Sequence, residues 1–232
     1  MSTLHRQRAS ADTKPTISAI IPVYNVASFI GEALESVFAQ TFTAGSLLMM
    51  ACPIRRIEEE IAKYRNSIVY FSQPNREAAA ARNAGLCIAR GEYVAFLDHD
   101  IWLPEFLQEQ LKLITSDGGY DMVYSDAIYF GGSSNNHKTF MTYNPSRGIV
   151  TFKKLVCSEC SVVTSTVVAR REPILRIGCF DERFPNSQDF DLWLRLLRDA
   201  NGRITYQKKV LVRRRMYGEV WRQIRSLHIP AN

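Results

Sequence analysis

Short apolar runs alternate with amphipathic stretches through the first half of this chain, which predicts an α/β fold: one domain with a mostly parallel central sheet flanked by helices. Two observations carry the prediction. Ile17 to Val23 (ISAIIPV) is an apolar run short enough for one buried strand, and Glu92 to Asp100 (EYVAFLDHD) is a second, with the aromatic and β-branched members that a strand covered on both faces needs. At 232 residues the chain suits one large domain that buries a core without disulfides.

Taken in order, residues 1–15 form a polar, basic tail, 16–215 the domain and 216–232 a basic extension. After the first strand, Ser28 is the expected N-cap of a helix reaching Gln40, with Phe29, Ala33, Leu34 and Val37 as its apolar face. Leu47 to Met50 reads as the second strand, Ile57 to Tyr64 as a helix and Ile68 to Phe71 as the third strand. Asn75 to Gly91 is Ala-rich and reads as a helix lying close on the sheet, with Gly91 as its stop. A helix from Pro104 to Ile114, a strand at Tyr120 to Tyr124, a turn at Phe130 to Asn136, β signals at Val162 to Ala169 and a helix from Ser187 to Ala200 complete the pattern.

The run EYVAFLDHD ends at Asp98 and Asp100, one residue apart. At a strand's exposed end two such carboxylates face the same way, as a hard divalent cation that also holds a diphosphate requires. Taken alone, a D-x-D pair is more often structural. Phosphatases of the haloacid-dehalogenase type also place D-x-D after a strand, but their motif continues into Gly and Thr, whereas Ile101, Trp102, Leu103 and Pro104 follow here. In a sheet of this kind ligands lie beyond the carboxyl ends of the strands, which puts Asn25, Asp98 and Asp100 on one edge.

Five cysteines at irregular spacing give no disulfide framework, and Cys157 and Cys160 lack the partners of a zinc site, so both read as core thiols in a reducing compartment. The first residues contain no apolar h-region and no window is long and apolar enough to span a bilayer, which predicts a cytoplasmic chain. The net charge of +6 is uneven: Arg203 to Arg225 holds eight Lys or Arg against the single acid Glu219. Such a stretch suits peripheral association with an anionic membrane face, with a solvated surface as the plainer reading. No nucleic-acid-binding motif accompanies it, so no nucleic-acid partner is expected.

Five motifs in order, IPVYN at 21–25, AAARNAGL at 79–86, GEYVAFLDHD at 91–100, GCFDERF at 178–184 and QDFDLWLRL at 188–196, closely resemble the family 2 inverting glycosyltransferases, whose fold is the Rossmann-like GT-A domain. The resemblance implies transfer of a sugar from a nucleotide diphosphate sugar, commonly a UDP-sugar, with Mn²⁺ or Mg²⁺ as cofactor. It implies that Pro22, Tyr24 and Asn25 line the nucleotide pocket, and that Arg82 contacts nucleotide or phosphate. Asp98 faces the ribose or the metal, and Asp100 binds the metal. The general base of that family matches Asp189, in the pair Gln188–Asp189. An acid in a helix's first turn is favoured by the macrodipole in any protein, so the resemblance and not the position selects it. Asp191 is expected to orient acceptor or to solvate the helix end, Trp102 to border the acceptor channel or to be half-buried, and Phe190, Trp193, Leu194 and Leu197 to form the helix's apolar face. Polymer synthesis is disfavoured, since the Q-x-x-R-W signature of processive synthases is absent. The expected acceptor is a glycan, a lipid carrier or a protein, with a surface-glycan precursor preferred. A nucleotidyltransferase would need a Gly-rich phosphate loop that IPVYNVASF lacks.

One motif departs. Family members carry an acidic, Gly-containing segment of the type VDDGSPDT after the second strand, whereas Leu47 to Arg56 reads LLMMACPIRR, without an acid. Methionine has one codon, so Met49-Met50-Ala51 is written ATG ATG GCN, and the frame one nucleotide earlier encodes Asp-Gly at its second and third codons. The pattern points to a compensated pair of frame shifts across about Ala44 to Arg56; the competing readings are chance agreement, since Met-Met-Ala forces Asp-Gly wherever it occurs, and a divergent pocket, as in a degenerate, non-catalytic relative. Resequencing the coding DNA is expected to reveal the two indels, and a clean read without them contradicts the frame-shift reading.

Overall fold

The structure is a computed structural model that describes residues 17–23, 27–42, 46–51, 55–73, 76–131 and 138–216. Its strands are β1 (Ile17–Val23), β2 (Ser46–Ala51), β3 (Val69–Ser72), β4 (Tyr93–Phe96), β5 (Ile101–Trp102), β6 (Met122–Phe130), β7 (Val167–Arg170) and β8 (Ile204–Arg215). The helices are α1 (Ala27–Phe38), α2 (Arg55–Ile61), α3 (Glu77–Ile88), α4 (Phe106–Ile114), α5 (Phe140–Tyr143), α6 (Phe152–Val156), α7 (Arg171–Arg176) and α8 (Gln188–Arg198). Two single 3₁₀ turns, Ala62–Tyr64 and Thr164–Thr166, lie between them.

All eight strands form one sheet in the order β3-β2-β1-β4-β7-β6-β8-β5. Pairings β3–β2, β2–β1, β1–β4 and β6–β8 are parallel, while β7 runs antiparallel to both β4 and β6, and β5 antiparallel to β8. The mostly parallel sheet predicted from sequence is present, with β7 reversing the direction in its centre. The strand order turns back between β1 and β4, which is the switch point where open α/β sheets bind ligands.

Successive residues of β1 and β4 point into two different cores. Ile17, Ala19 and Ile21 with Tyr93, Ala95 and Leu97 join Ile30, Leu34, Phe106 and Leu107 on one face. Ile20, Val94 and Phe96 meet Leu86, Phe180, Leu192, Trp193 and Leu196 on the other. This is why both strands read as continuous apolar runs: neither face meets water. Pro22 shares the parity of Ile20, whose carbonyl accepts from Leu97 N at 3.0 Å, but the β1–β4 pairing ends at Ile20 and Phe96. The missing N–H of Pro22 therefore removes no bond on the β4 side.

Several boundaries differ from expectation. Helix α1 starts at Ala27, so Ser28 is its second residue and not its cap, and Ile30 rather than Phe29 fills the core. Gly91 does not stop α3, which ends at Ile88 with Ala89 as its cap. A Cβ on Gly91 would lie 2.6 Å from Ser18 N and 2.7 Å from Tyr93 O, so this glycine lets the chain pass against β1. The close approach of α3 predicted from its small residues is present at Gly85, where a Cβ would meet Ile20 Cγ2 at 2.6 Å. Strand β6 is longer than predicted, and most of the predicted turn at 130–136 lies outside the described residues.

Candidate active site

Strand β4 delivers Leu97 to Asp100 to the switch point, and each acid there has its own fastening. The Asp98 carboxylate accepts from Arg82 Nη2 at 2.6 Å. Arg82 comes from α3, its side chain only 5% exposed against 28% for Asp98. Burial by itself would raise the Asp98 carboxyl, but the Arg82 guanidinium, helped by His99 and Arg214, outweighs it and holds the group below the ordinary carboxylate range. Arg82 also lies 5.4 Å above the Phe180 ring, and its Nε and Nη1 are buried without hydrogen-bond partners among the described residues.

Asp100 is sealed more deeply, at 4% exposure. Burial pushes its carboxyl above the ordinary range, and the neighbouring charge of Asp98 adds to the effect against the hydrogen bonds it receives. Those bonds come from the Ser165 hydroxyl and from Arg215 N at 2.8 Å. Arg215, near the end of β8, further donates to His99 O at 3.1 Å and to Glu32 on α1 at 2.7 Å, and stacks on Phe29 and Phe130. The D-x-D segment is thereby clamped from α1, α3 and β8.

The third acid, Asp189, sits in the first turn of α8. Ser187 enters that helix with φ 60°, and Leu192, Trp193 and Leu196 pin it to the core. Burial of each such side chain contributes about 1.5–3 kcal/mol, so the helix is held independently of its polar end. Asp189 Oδ2 accepts from Thr164 Oγ1 at 2.5 Å and Oδ1 from Phe190 N at 2.8 Å. An ionised carboxylate has about four lone-pair sites, so both oxygens retain capacity for a further donor.

The 3₁₀ turn Thr164–Thr166 links the two groups of acids. Thr164 holds Asp189, while the Ser165 hydroxyl accepts from Asp98 N at 3.3 Å and bonds the Asp100 carboxylate. The turn is itself tied down, since Trp102 Nε1 donates to Ser165 O at 2.8 Å and Gln110 Nε2 to Thr166 O at 2.6 Å. In the sequence, Thr and Ser among valines look like ordinary strand residues, so nothing local marks this segment as a turn. The signal that could have marked it is three consecutive hydroxyl side chains within an apolar run.

Asp98, Asp100 and Arg82 lie together, with Arg82 buried and paired to Asp98 where a contact to nucleotide or phosphate was expected, and Asp189 is joined to them through the turn. Pro22 lies at the end of β1 on the same edge; Tyr24 and Asn25 lie outside the described residues. Trp102 is 2% exposed and stacked on Phe106, so it belongs to the core and borders no channel. Phe190 is 40% exposed, and the buried face of α8 is Leu192, Trp193 and Leu196. Asp191 pairs with Arg195 at 2.7 Å, and Arg195 in turn donates to Ile177 O and Cys179 O, which makes this acid a fastener of the GCFDERF loop. Cys160 is buried but Cys157 is exposed, against the expectation of two core thiols. Arg213, Arg214 and Arg215 each stack on an aromatic ring, so this part of the basic stretch is built into the fold.

Divalent Mn²⁺ or Mg²⁺ prefers oxygen ligands and is commonly held by one or two carboxylates plus substrate phosphates and water. Asp98 and Asp100 are two carboxylates at one strand end, the first partly open and the second sealed, and among the described residues no group of three or more metal-binding side chains offers a fuller cage.

Residues 18–178 match the family described as Glycosyl transferase family 2. The chain belongs to glycosyltransferase family 2. An uncharacterized glycosyltransferase of Rickettsia felis is 27% identical over 216 residues, covering 88% of this chain and 35% of that protein. WfgD of Escherichia coli, named as a UDP-Glc:alpha-D-GlcNAc-diphosphoundecaprenol beta-1,3-glucosyltransferase, is 27% identical over 201 residues, 80% of this chain and 71% of WfgD. The mannosyltransferase PcManGT of Pyrobaculum calidifontis, in complex with GDP-Man and Mn²⁺, superposes with a TM-score of 0.70 at 17% identity, covering 93% of this chain and 62% of that one. The fold is accordingly that of the GT-A glycosyltransferases. The chain spans between 30% and 64% of the lengths of four further curated Rickettsia relatives. Among the described residues no helix is long and apolar enough to cross a membrane.

Arg82→Met leaves the Asp98 charge partly buried and unpaired, and is expected to lower stability at pH 7 by about 3 kcal/mol, measured by urea unfolding in EDTA. Because the folded-state carboxyl lies below its unfolded value, its contribution is present above the unfolded pKa and lost as pH falls. The difference between the two proteins should therefore shrink below about pH 4. An undiminished gap at pH 3 would contradict the pairing.

Proposed function

We propose that the chain is an inverting glycosyltransferase that moves one sugar from a nucleotide diphosphate sugar, with a UDP-sugar as the expected donor, to an acceptor hydroxyl. The observation that supports this most strongly is the single buried turn that fastens Asp98 and Asp100 on one side and Asp189 on the other. An inverting transfer needs a cation, held by carboxylate oxygens, to offset the charge of the departing diphosphate, and a separate proton acceptor on the opposite face of the sugar; in this reading Asp98 and Asp100 serve the first need and Asp189 the second.

In this reading Pro22, Tyr24 and Asn25 line the nucleotide pocket and Arg82 keeps Asp98 ionised. Asp98 and Asp100 would hold Mn²⁺ or Mg²⁺, which would offset the charge of the departing diphosphate. Asp189 takes the proton of the acceptor hydroxyl as that oxygen bonds to the anomeric carbon and the bond from that carbon to the diphosphate breaks. WfgD supports a UDP-linked donor and a lipid-linked acceptor, as in surface-glycan biosynthesis, and PcManGT supports a divalent ion. A cytoplasmic protein lying at a membrane's inner face suits such an acceptor.

A second reading, a non-catalytic binding protein of the same fold, is favoured by the missing acids at Leu47 to Arg56. The two separate on UDP release from UDP-glucose and UDP-GlcNAc with Mn²⁺ and water as acceptor. Asp189→Asn is expected to slow release about 10²- to 10⁴-fold while UDP still binds. Equal release contradicts the role of Asp189, and donor binding without release in the unaltered protein supports the binding-protein reading.

A further inference from the structure

Among the described residues the most exposed large apolar side chain is Ile149, at 80%, and Phe152 and Val156 follow it at 40% and 53%. Phe152 and Val156 stand four residues apart on α6 and so share a face of that helix. We propose that residues 147–157 are the surface by which the chain seats itself on an anionic lipid bilayer. Ile149, Phe152 and Val156 enter the headgroup region, and Arg147, Lys153 and Lys154 meet the lipid phosphates. The proposal rests on the placement of the protein at a membrane's inner face under the proposed function, and adds which surface makes the contact.

The apolar side chains are displayed by a fastened backbone. Val150, next to Ile149, and Leu155, within α6, are buried in the core that also holds Leu192 and Trp193. Lys154 Nζ donates to Arg147 O at 2.8 Å, Arg147 N donates to Glu159 O at 3.2 Å, and the Thr151 hydroxyl accepts from Lys154 N at 3.3 Å. Ile149 is therefore held in water by a segment anchored on both sides of it, and apolar surface kept in water gains free energy wherever a partner covers it.

Charge says what that partner is. From Arg147 to Cys157 the chain carries three bases and no acid, and the first acid beyond is Glu159. Lys154 spends one of its three ammonium protons on Arg147 O and keeps the others. Bases set among exposed apolar side chains suit a bilayer with anionic lipid, where the apolar groups enter the acyl boundary and the cations stay at the phosphates. A protein partner fits less well: a stable interface takes roughly 800 Å² from each side, and three side chains separated by bases supply only part of it. Other exposed aromatics already have company, since Phe38 stacks on Tyr64 and Tyr143 lies beneath Lys138. The position also suits the reaction. Leu155 of α6 and Asp189 of α8 line the same cavity, so a bilayer beneath α6 lies on the side of the protein from which Asp189 is reached.

The test is co-sedimentation of the full chain with vesicles of phosphatidylcholine alone and of phosphatidylcholine mixed with phosphatidylglycerol. The unaltered chain is expected to bind the mixed vesicles, and less so as salt is raised. The double variant Ile149→Ser, Phe152→Ser should bind about tenfold more weakly or worse. Lys153→Glu should lose about tenfold as well, since it reverses one charge at the surface. Lys112→Glu makes the same charge change on α4, which packs on the opposite face of the sheet, and should leave binding within about twofold. All four replaced side chains are exposed, and circular dichroism checks that each variant is folded. No binding of mixed vesicles by a folded chain, equal binding by the double variant, or equal binding to neutral vesicles overturns the proposal. Self-association lost in the double variant, without vesicle binding, assigns the surface to a second copy and overturns it too. Vesicle binding that follows Ile149 and Phe152 in a chain that releases no UDP from a donor leaves the surface standing and the transferase reading fallen; UDP release without vesicle binding does the reverse.

Discussion

The candidate site depends on one buried turn, Thr164–Ser165–Thr166, and on the fact that buried hydrogen-bonding groups must find partners. All three residues are at most 5% exposed. Unpaired, each of their hydroxyls and carbonyls would cost about 1–3 kcal/mol. The Thr166 hydroxyl and the Thr164 carbonyl are satisfied locally, by Val163 O and Val167 N, and the others by Asp189 on α8, by Asp98 N and the Asp100 carboxylate after β4, by Trp102 on β5 and by Gln110 on α4. The turn can sit where it does only while those elements keep their places. It precedes β7, the strand that reverses the sheet's direction, so the change of topology is also where the two groups of acids are joined.

Charge is handled by the same economy. Two carboxylates one residue apart repel, and burying both would be costly without positive partners. The chain offers Arg82 from α3 to the first and the Arg215 amide from β8 to the second. The consequence for chemistry is asymmetry: Asp98 is held ionised and partly open, whereas Asp100 is sealed and shifted the other way. A divalent ion arriving with a diphosphate would first meet Asp98, whose negative oxygens Arg82 already orients, and such preorganisation is where an active site gains its electrostatic advantage.

How much of this is legible in the sequence follows from which interactions leave a local pattern. Strands β1 and β4 are covered on both faces, so their apolar runs show directly, and the family motifs mark Arg82, Asp98, Asp100 and Asp189. Contacts between residues distant in sequence leave no such pattern. Arg215 reads as one charge among eight in a basic stretch, yet it fastens a loop 115 residues away. Gly91 reads as a helix stop, but its smallness serves a close pass against Ser18. Trp102 and Phe190 exchange roles for a related reason: an aromatic residue beside a motif carries no sign of which way it faces, and the structure buries the first and exposes the second.

The central claim is that the D-x-D segment forms a working donor site despite the unusual stretch at Leu47 to Arg56. Calorimetric titration of UDP into the purified chain, with and without Mn²⁺ and beside Asp100→Ala, tests it most directly. The account predicts binding that requires the metal and is abolished by the substitution. Binding that is indifferent to both, or no binding by a folded chain, would contradict it.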